Sequence, residues 1–208
     1  GLLIVISGFS GSGKGTIMKE LIRRYPEKYA LSISATTRQP REGEQDGREY
    51  FFRKKEEFEK LIADDELLEY ASYCGNYYGT PKAYVEDQMA QGRDVILEIE
   101  LQGALKIKEK RPDTFLVYVM PPDARTLVDR LTNRGTETPE KVHERLTRAL
   151  EEADEVAKYE FVVINDDLDR SAEELHQLIE VQHNKIDRNL EFISQVQREL
   201  KAYLKGEQ

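Results

Sequence analysis

The chain opens on "GLLIVISGFSGSGKGT", where an apolar, strand-like run passes straight into a loop holding four glycines and then into helical spacing. No other feature constrains the fold as strongly. Gly8, Gly13 and Lys14 fit G-x-x-x-x-G-K in the context that motif requires, after a strand and before a helix. Glycines permit positive φ, so successive backbone N–H groups turn toward one point. The following helix aims the positive end of its dipole at the same point, and Lys14 adds a mobile cation suited to β- and γ-phosphates. The expected triphosphate cradle is therefore Gly8, Phe9, Ser10, Gly11, Ser12, Gly13, Lys14, Gly15 and Thr16. Gly15 stands where the commonest form of the motif has Ser or Thr. The hydroxyl moves to Thr16, which is expected at the α-phosphate, leaving Mg²⁺ to water and nucleotide oxygens.

Beyond the loop, short apolar runs alternate with helical patterns. Residues 2–6, 29–36, 94–100, 114–120 and 161–165 read as strands. Helices are expected from Ile17 to near Tyr25-Pro26, after the Pro-Pro stop at 121–122, from Thr138 as N-cap with Pro139 at the first position, and around Ser171 and Glu174 at capping-box spacing. That alternation predicts an α/β fold: a parallel sheet with helices on both faces, a three-layer α/β/α core. Residues 37–91 break the rhythm and read as a small mixed α/β lobe inserted into a core formed by 1–36 and 92–185. Residues 126–148 form a helical lid region. In the tail, 186–208, the apolar residues Ile186, Leu190, Ile193, Val196, Leu200 and Leu204 recur at spacings of three and four. An amphipathic helix is expected there, docked on its own domain rather than in a partner coiled coil.

Composition removes some function classes. A formal charge of -9 over 208 residues gives no basic footprint for nucleic acid. Cys74 is the only cysteine, so no intrachain disulfide forms, which suits a reducing, cytoplasmic setting. No apolar run reaches the ~20 residues of a membrane span, and no signal peptide is visible.

The inserted lobe supplies residues for a second phosphorylated ligand. Arg38, Arg41 and Tyr50 suit a clamp on a phosphate monoester, since guanidinium forks match its oxygens. Glu69 is able to accept from guanine N1–H and N2–H together and to reject adenine, while Ser34 or Thr80 suits guanine O6. Other roles stay open: Thr80-Pro81 also reads as a helix start, and Tyr50 and Tyr78 as packing aromatics.

"GKGT" resembles the loops of nucleoside-monophosphate kinases. "SISATTRQPREGEQDGREYFF" and "EYASYCGNYYGTP" together resemble the guanylate kinase family, over most of the chain from Gly8 to Asp169. The resemblance implies ATP-dependent phosphorylation of GMP, with dGMP also accepted, and Mg²⁺ accompanying ATP. It places Arg38, Arg41, Tyr50 and Tyr78 on the GMP phosphate and Ser34, Glu69 and Thr80 on guanine.

In "LEIELQG", period-two spacing puts Glu98 and Glu100 on one face at a strand's carboxyl end, where the family more often has aspartates. Glu98 is expected toward the waters of Mg²⁺ and Glu100 toward GMP. "RLTNRGTETPEKVHERLTRAL" resembles the family lid. Its Arg130, Arg134, Arg145 and Arg148 are expected to converge on the transferring phosphoryl group, with Arg134 and Asn165 at the adenine of ATP and His143 solvated. Lys14, Arg38, Arg130, Arg134 and Arg145 form the expected catalytic set. Partners are then ATP and GMP, for a monomer or homo-oligomer. Two rival readings remain: a scaffold domain binding phosphorylated peptides, and a kinase for another acceptor.

Overall fold

The computed structural model describes residues 1–133 and 138–205. Five strands form one parallel sheet: β1 (Leu3–Gly8), β2 (Tyr29–Leu31), β7 (Asp94–Glu98), β8 (Phe115–Met120) and β9 (Phe161–Ile164), in the order β2-β7-β1-β8-β9. Side-chain alternation explains how one apolar run serves two faces. Leu2, Ile4 and Ile6 pack in a cluster with Ile17, Met18 and Leu21 of α1 (Lys14–Arg24) and with Leu175 and Ile179 of α7 (Leu168–His183). Leu3 and Val5 belong to the opposite face, with Val85 of α3 (Lys82–Ala90) and with Ala104 and Ile107 of α4 (Leu101–Lys110). The three-layer α/β/α core expected from the sequence is present. Because β1, β7 and β8 run parallel, the loops after them gather on one edge, the edge where open α/β sheets bind ligands.

A second sheet has the order β4-β3-β6-β5: β3 (Ala35–Thr36) pairs parallel with β4 (Phe51–Phe52) and antiparallel with β6 (Asn76–Pro81), which pairs antiparallel with β5 (Leu67–Tyr73). It has its own small core, where Phe58 of α2 (Lys55–Ala63) meets Ala35 and Leu67. Above the phosphate edge, α5 (Ala124–Thr132) and α6 (Pro139–Ala153) pack Leu127, Leu131, Val142 and Ala149 with Phe9, Leu101 and Tyr118. Thr138 caps α6 by accepting from the Lys141 N–H, and Pro139 is its first residue.

Several local expectations are corrected. Residues 29–36 are two strands in two sheets: the chain gives its last parallel-sheet bond from Ser32 N to Ile96 O, then leaves, and Ser34 O accepts from Phe51 N. The strand read over 94–100 ends at Glu98, and Glu100 is the N-cap of α4, so the two glutamates are not a same-face strand pair. Helix α7 starts earlier than the Ser171–Glu174 spacing suggests. Asp167 caps it by accepting from Arg170 N at 2.9 Å, and Ser171 lies inside it, donating to Ile164 O. Thr80 lies within β6 rather than capping a helix; Pro81 is the N-cap of α3. The tail does form a helix, α8 (Leu190–Lys205), but the expected docking is absent: none of its residues is buried, and Phe192 and Leu200 are 65% and 57% exposed.

Candidate active site

The loop after β1 is held by backbone. Gly11 and Gly13 have φ of 91° and 88°, the left-handed region that a side chain disfavours. Gly13 is the N-cap of α1 and carries no side chain to occupy the first-turn N–H groups; Thr16 N donates to Gly13 O at 3.0 Å, and the Lys14 and Gly15 N–H groups are the donors left for an anion. Ser12 N donates to Phe9 O at 2.9 Å and closes the turn. Two side chains brace it from outside: Asn165 Nδ2 and Arg130 Nη1 both donate to Ser12 O, at 2.8 and 3.1 Å, and Arg130 Nη2 donates to Asn165 O at 2.8 Å. A Cβ on Gly13 would lie 2.2 Å from Asn165 Nδ2, so the brace itself requires glycine there. Lys14 Nζ reaches back toward Gly8 O at 3.4 Å and lies 3.9 Å from Glu98 Oε1.

A cleft of about 900 Å³ opens from this loop. Gly8, Ser10 and Lys14 line one side and Glu98 and Glu100 another; Tyr73 comes from β5, Tyr50 from the residue just before β4, and Arg145 and Arg148 from α6. Arg145 Nη1 donates to Ser10 Oγ at 2.9 Å, tying α6 to the loop. Arg148 does not turn to the loop: its Nη2 donates to Glu100 Oε2 at 2.6 Å and its Nε to Glu152 Oε1 at 3.2 Å. Arg134 lies outside the described residues.

On the far side, Arg38 lies over the Tyr50 ring, its Cζ 5.3 Å from the centroid, and the Tyr50 and Tyr78 rings are 6.1 Å apart. Glu44 holds Arg38 in that place, accepting from Nη2 at 2.9 and 3.0 Å, and also accepts from Arg41 N at 2.7 Å. The Arg38 hydrogen bond pulls the Glu44 carboxyl below the usual carboxylate range and raises Arg38 in turn. The Arg41 side chain is exposed. Glu69 is half-buried beside Thr80, whose hydroxyl donates to Glu69 Oε1 at 2.7 Å; burial pushes the Glu69 carboxyl up, and that hydrogen bond offsets part of the rise. The register pairing Ala35 with Gly79 sets Ser34 beside Thr80. Ser34, Glu69 and Thr80 thus form a group of their own, set apart from the residues lining the main cleft.

Comparison with known proteins gives the lineage. The family profile described as guanylate kinase matches residues 1–182. The chain belongs to the guanylate kinase family. It is 48% identical over 199 residues to guanylate kinase of Caldanaerobacter subterraneus subsp. tengcongensis, covering 96% of each chain. It is 47% identical over 188 residues to guanylate kinase of Streptococcus thermophilus, covering 90% of each. The crystal structure of guanylate kinase from Anaplasma phagocytophilum superposes with a TM-score of 0.69 at 29% identity, over 90% of this chain and 89% of that one.

Two features of this guanylate kinase cleft were not anticipated from residue types. Glu44 organises the loop that carries Arg38 and Arg41, and its trace in the sequence is a carboxylate three residues after Arg41, at turn spacing. Asn165 and Arg130 brace the loop backbone, which no spacing reveals because they stand 153 and 118 residues from Ser12. The donor set suits Mg²⁺. Glu98 is a single carboxylate, 41% exposed in its side chain, beside Lys14, and the Thr16 hydroxyl is exposed; a cation that retains most of its waters needs no more protein ligands.

Proposed function

We propose that this cleft transfers the γ-phosphoryl group of ATP to GMP, and to dGMP, giving ADP and GDP or dGDP. The observation that carries the reading is the placement of Lys14 and Tyr50 on one cleft, with Arg38 stacked on that tyrosine. A triphosphate seated on the α1 N-terminus and a monophosphate seated at Arg38, Arg41, Tyr50 and Tyr78 then meet end to end. A phosphate oxygen of GMP is already anionic, so its attack on the γ-phosphorus requires no general base. The new O–P bond forms as the bond from the γ-phosphorus to the β–γ bridging oxygen breaks, and ADP leaves with that oxygen. The protein's part is alignment and charge neutralisation by Lys14 and Arg145. Mg²⁺ bound with ATP supplies further neutralisation of the β- and γ-phosphates, and Glu98 is the residue suited to hold its water shell.

Acceptor choice rests on Glu69, Thr80 and Ser34. Guanine presents N1–H and N2–H to a carboxylate; adenine presents an acceptor at N1 and leaves that half-buried charge unpaired. ATP and GMP are the expected small-molecule partners, and the -9 charge argues against nucleic acid as one. No helix among the described residues is long and apolar enough to cross a membrane, in keeping with a cytoplasmic setting.

The test is ADP formation in a coupled assay with GMP, dGMP, AMP and UMP as acceptors. GMP and dGMP should turn over, with AMP and UMP slower by about 10⁴-fold in kcat/KM. Equal rates with AMP, or ADP formation independent of any acceptor, would overturn the reading.

A further inference from the structure

Glu100 is unlike the other acceptor-side residues. It caps α4 at the mouth of the cleft with its side chain 74% exposed, and as a glutamate it carries one more rotatable bond than an aspartate would. An exposed carboxylate on a longer stem loses more rotamer freedom when it engages a ligand. The structure shows what limits that freedom. Tyr118, a fully buried residue of β8, donates from its hydroxyl to Glu152 Oε2 at 3.3 Å. Glu152 Oε1 accepts from Arg148 Nε at 3.2 Å, and Arg148 Nη2 donates to Glu100 Oε2 at 2.6 Å. The chain of contacts therefore runs from the sheet core, through the lid helix α6, to the cleft edge. Arg148 is held at two of its nitrogens and presents its charge to Glu100 Oε2, while Glu100 Oε1 has no partner among the described residues.

We propose that Arg148 is a positioning residue for the acceptor: it fixes the Glu100 carboxylate toward the GMP site and makes that carboxylate's placement depend on the position of the lid helix. The inference deepens the reading that GMP is the acceptor and that Glu100 faces it. An arginine suits the task because its planar fork spans two carboxylates at once, which a lysine does not. Tyr73, the last residue of β5 in the second sheet, lines the same cleft as Arg148 and Glu100, so the pair faces residues of the inserted lobe as well as the loop.

The test uses the full-length enzyme and reads KM for GMP, KM for ATP and kcat separately. Arg148→Met keeps the packing stem and removes the charge. It should raise KM for GMP about three-fold, the size an exposed ion pair supports, with KM for ATP within a factor of about 1.5 of the parent. In an Glu100→Gln background, itself raised in KM for GMP, Arg148→Met should add nothing. Arg148→Lys should behave as Met. An unchanged or lowered KM for GMP in Arg148→Met, or the same effect with and without Glu100, overturns the inference. If Glu100→Gln leaves KM for GMP untouched while the acceptor assay still selects GMP, the placement of Glu100 fails, and the inference with it, but the GMP reading stands. Circular dichroism melts of each variant exclude a folding defect as the source of any change.

Discussion

The two ends of the cleft are held by different means. At the phosphate loop the partners are mostly backbone carbonyls: Ser12 O takes bonds from Asn165 and Arg130, two glycines with φ near 90° complete the turn, and one side chain, Ser10, accepts from Arg145. At the other end the partners are side chains: Glu44 on Arg38 and Thr80 on Glu69 in the inserted lobe, and Arg148 of α6 on Glu100 at the start of α4. A triphosphate is the same in every nucleotide, so a rigid backbone cradle suffices for it. A base and its monophosphate must be told apart from rivals, and that requires chemically distinct side chains. Changes at the loop should therefore remove turnover whatever the acceptor, whereas changes in the lobe should act on GMP alone.

Lys14→Ala tests that contrast most severely. Lys14 is the first residue of α1, with its Nζ 3.9 Å from Glu98 Oε1 in the cleft. Its loss should cut kcat by about 10³-fold, at the upper end of what one preorganised donor contributes. GMP binding measured by calorimetry without ATP should stay within two-fold, about the precision of the method. GMP binding that falls together with kcat would mean the two ends are not separable.

Gly13→Ala comes next. A methyl at Gly13 meets Asn165 Nδ2 at 2.2 Å, in a residue with φ of 88°. Either the brace or the turn gives way, and kcat/KM for ATP should fall by about 10²-fold, the loss that displaced positioning produces. Adding Asn165→Ala removes the clash and leaves the φ strain. Recovery of part of the activity in the double variant would assign the rest to backbone strain; no recovery would mean the brace contributes nothing separable.

Glu69→Gln acts at the other end and carries a pH signature. Ionising a half-buried carboxylate costs more in the folded chain than in the unfolded one, so burial holds the Glu69 proton to higher pH. The neutral form's contribution to stability is full below the unfolded pKa and declines as pH rises through the folded value. Glutamine cannot ionise. The ligand-free variant should therefore melt at a higher temperature than the parent at about pH 7 and at the same temperature at about pH 4, below both pKa values. GMP binding should weaken by about 10²-fold, the cost of replacing a charged acceptor by a neutral amide that cannot receive both guanine N–H groups. A parent-like melting curve at neutral pH would remove the burial argument.

How far these features could be read from the sequence follows from the same contrast. The cradle was legible because its physics is local: glycines, a strand before, a helix after, all within residues 3–24. The three-layer core was legible because alternation along β1 assigns Leu3 and Val5 to one face and Ile4 and Ile6 to the other. Failures came where long-range pairing decides. Residues 29–36 look continuous, yet Ser32 and Ser34 bond to different sheets. Glu100 looks like the next residue of a strand, yet it begins a helix, and its partner Arg148 lies 48 residues further on. The exposed apolar stripe of α8 has the spacing of a docked helix without a docking face, since spacing records an amphipathic helix and not what covers it.

The mildest break in the comparison is Glu44→Ala. Glu44 accepts three hydrogen bonds, two from Arg38 Nη2 and one from Arg41 N, so one carboxylate sets both the guanidinium over Tyr50 and the turn that carries Arg41. A second effect opposes this: the carboxylate also competes with a phosphate for Arg38, and removing it frees the cation. Magnitudes decide between them. The Arg38–Glu44 pair is partly buried, its side chains 16% and 18% exposed, so competition from it lies toward the top of the roughly 0.2–1 kcal/mol range of exposed pairs. Disordering a loop that carries two arginines proposed to hold the phosphate releases roughly 0.5–1.5 kcal/mol of side-chain entropy for each, which binding must then recover. Organisation outweighs competition, so KM for GMP should rise about five-fold while KM for ATP holds steady. The two effects also part with salt. Loss of organisation persists at 0.5 M KCl, where competition from a partly buried charge is weakened though not removed, so the ratio of variant to parent KM for GMP should be nearly the same at low and high salt. A ratio below one, or one that collapses toward one as salt rises, would reverse the roles, leaving Glu44 as a competitor at the acceptor clamp.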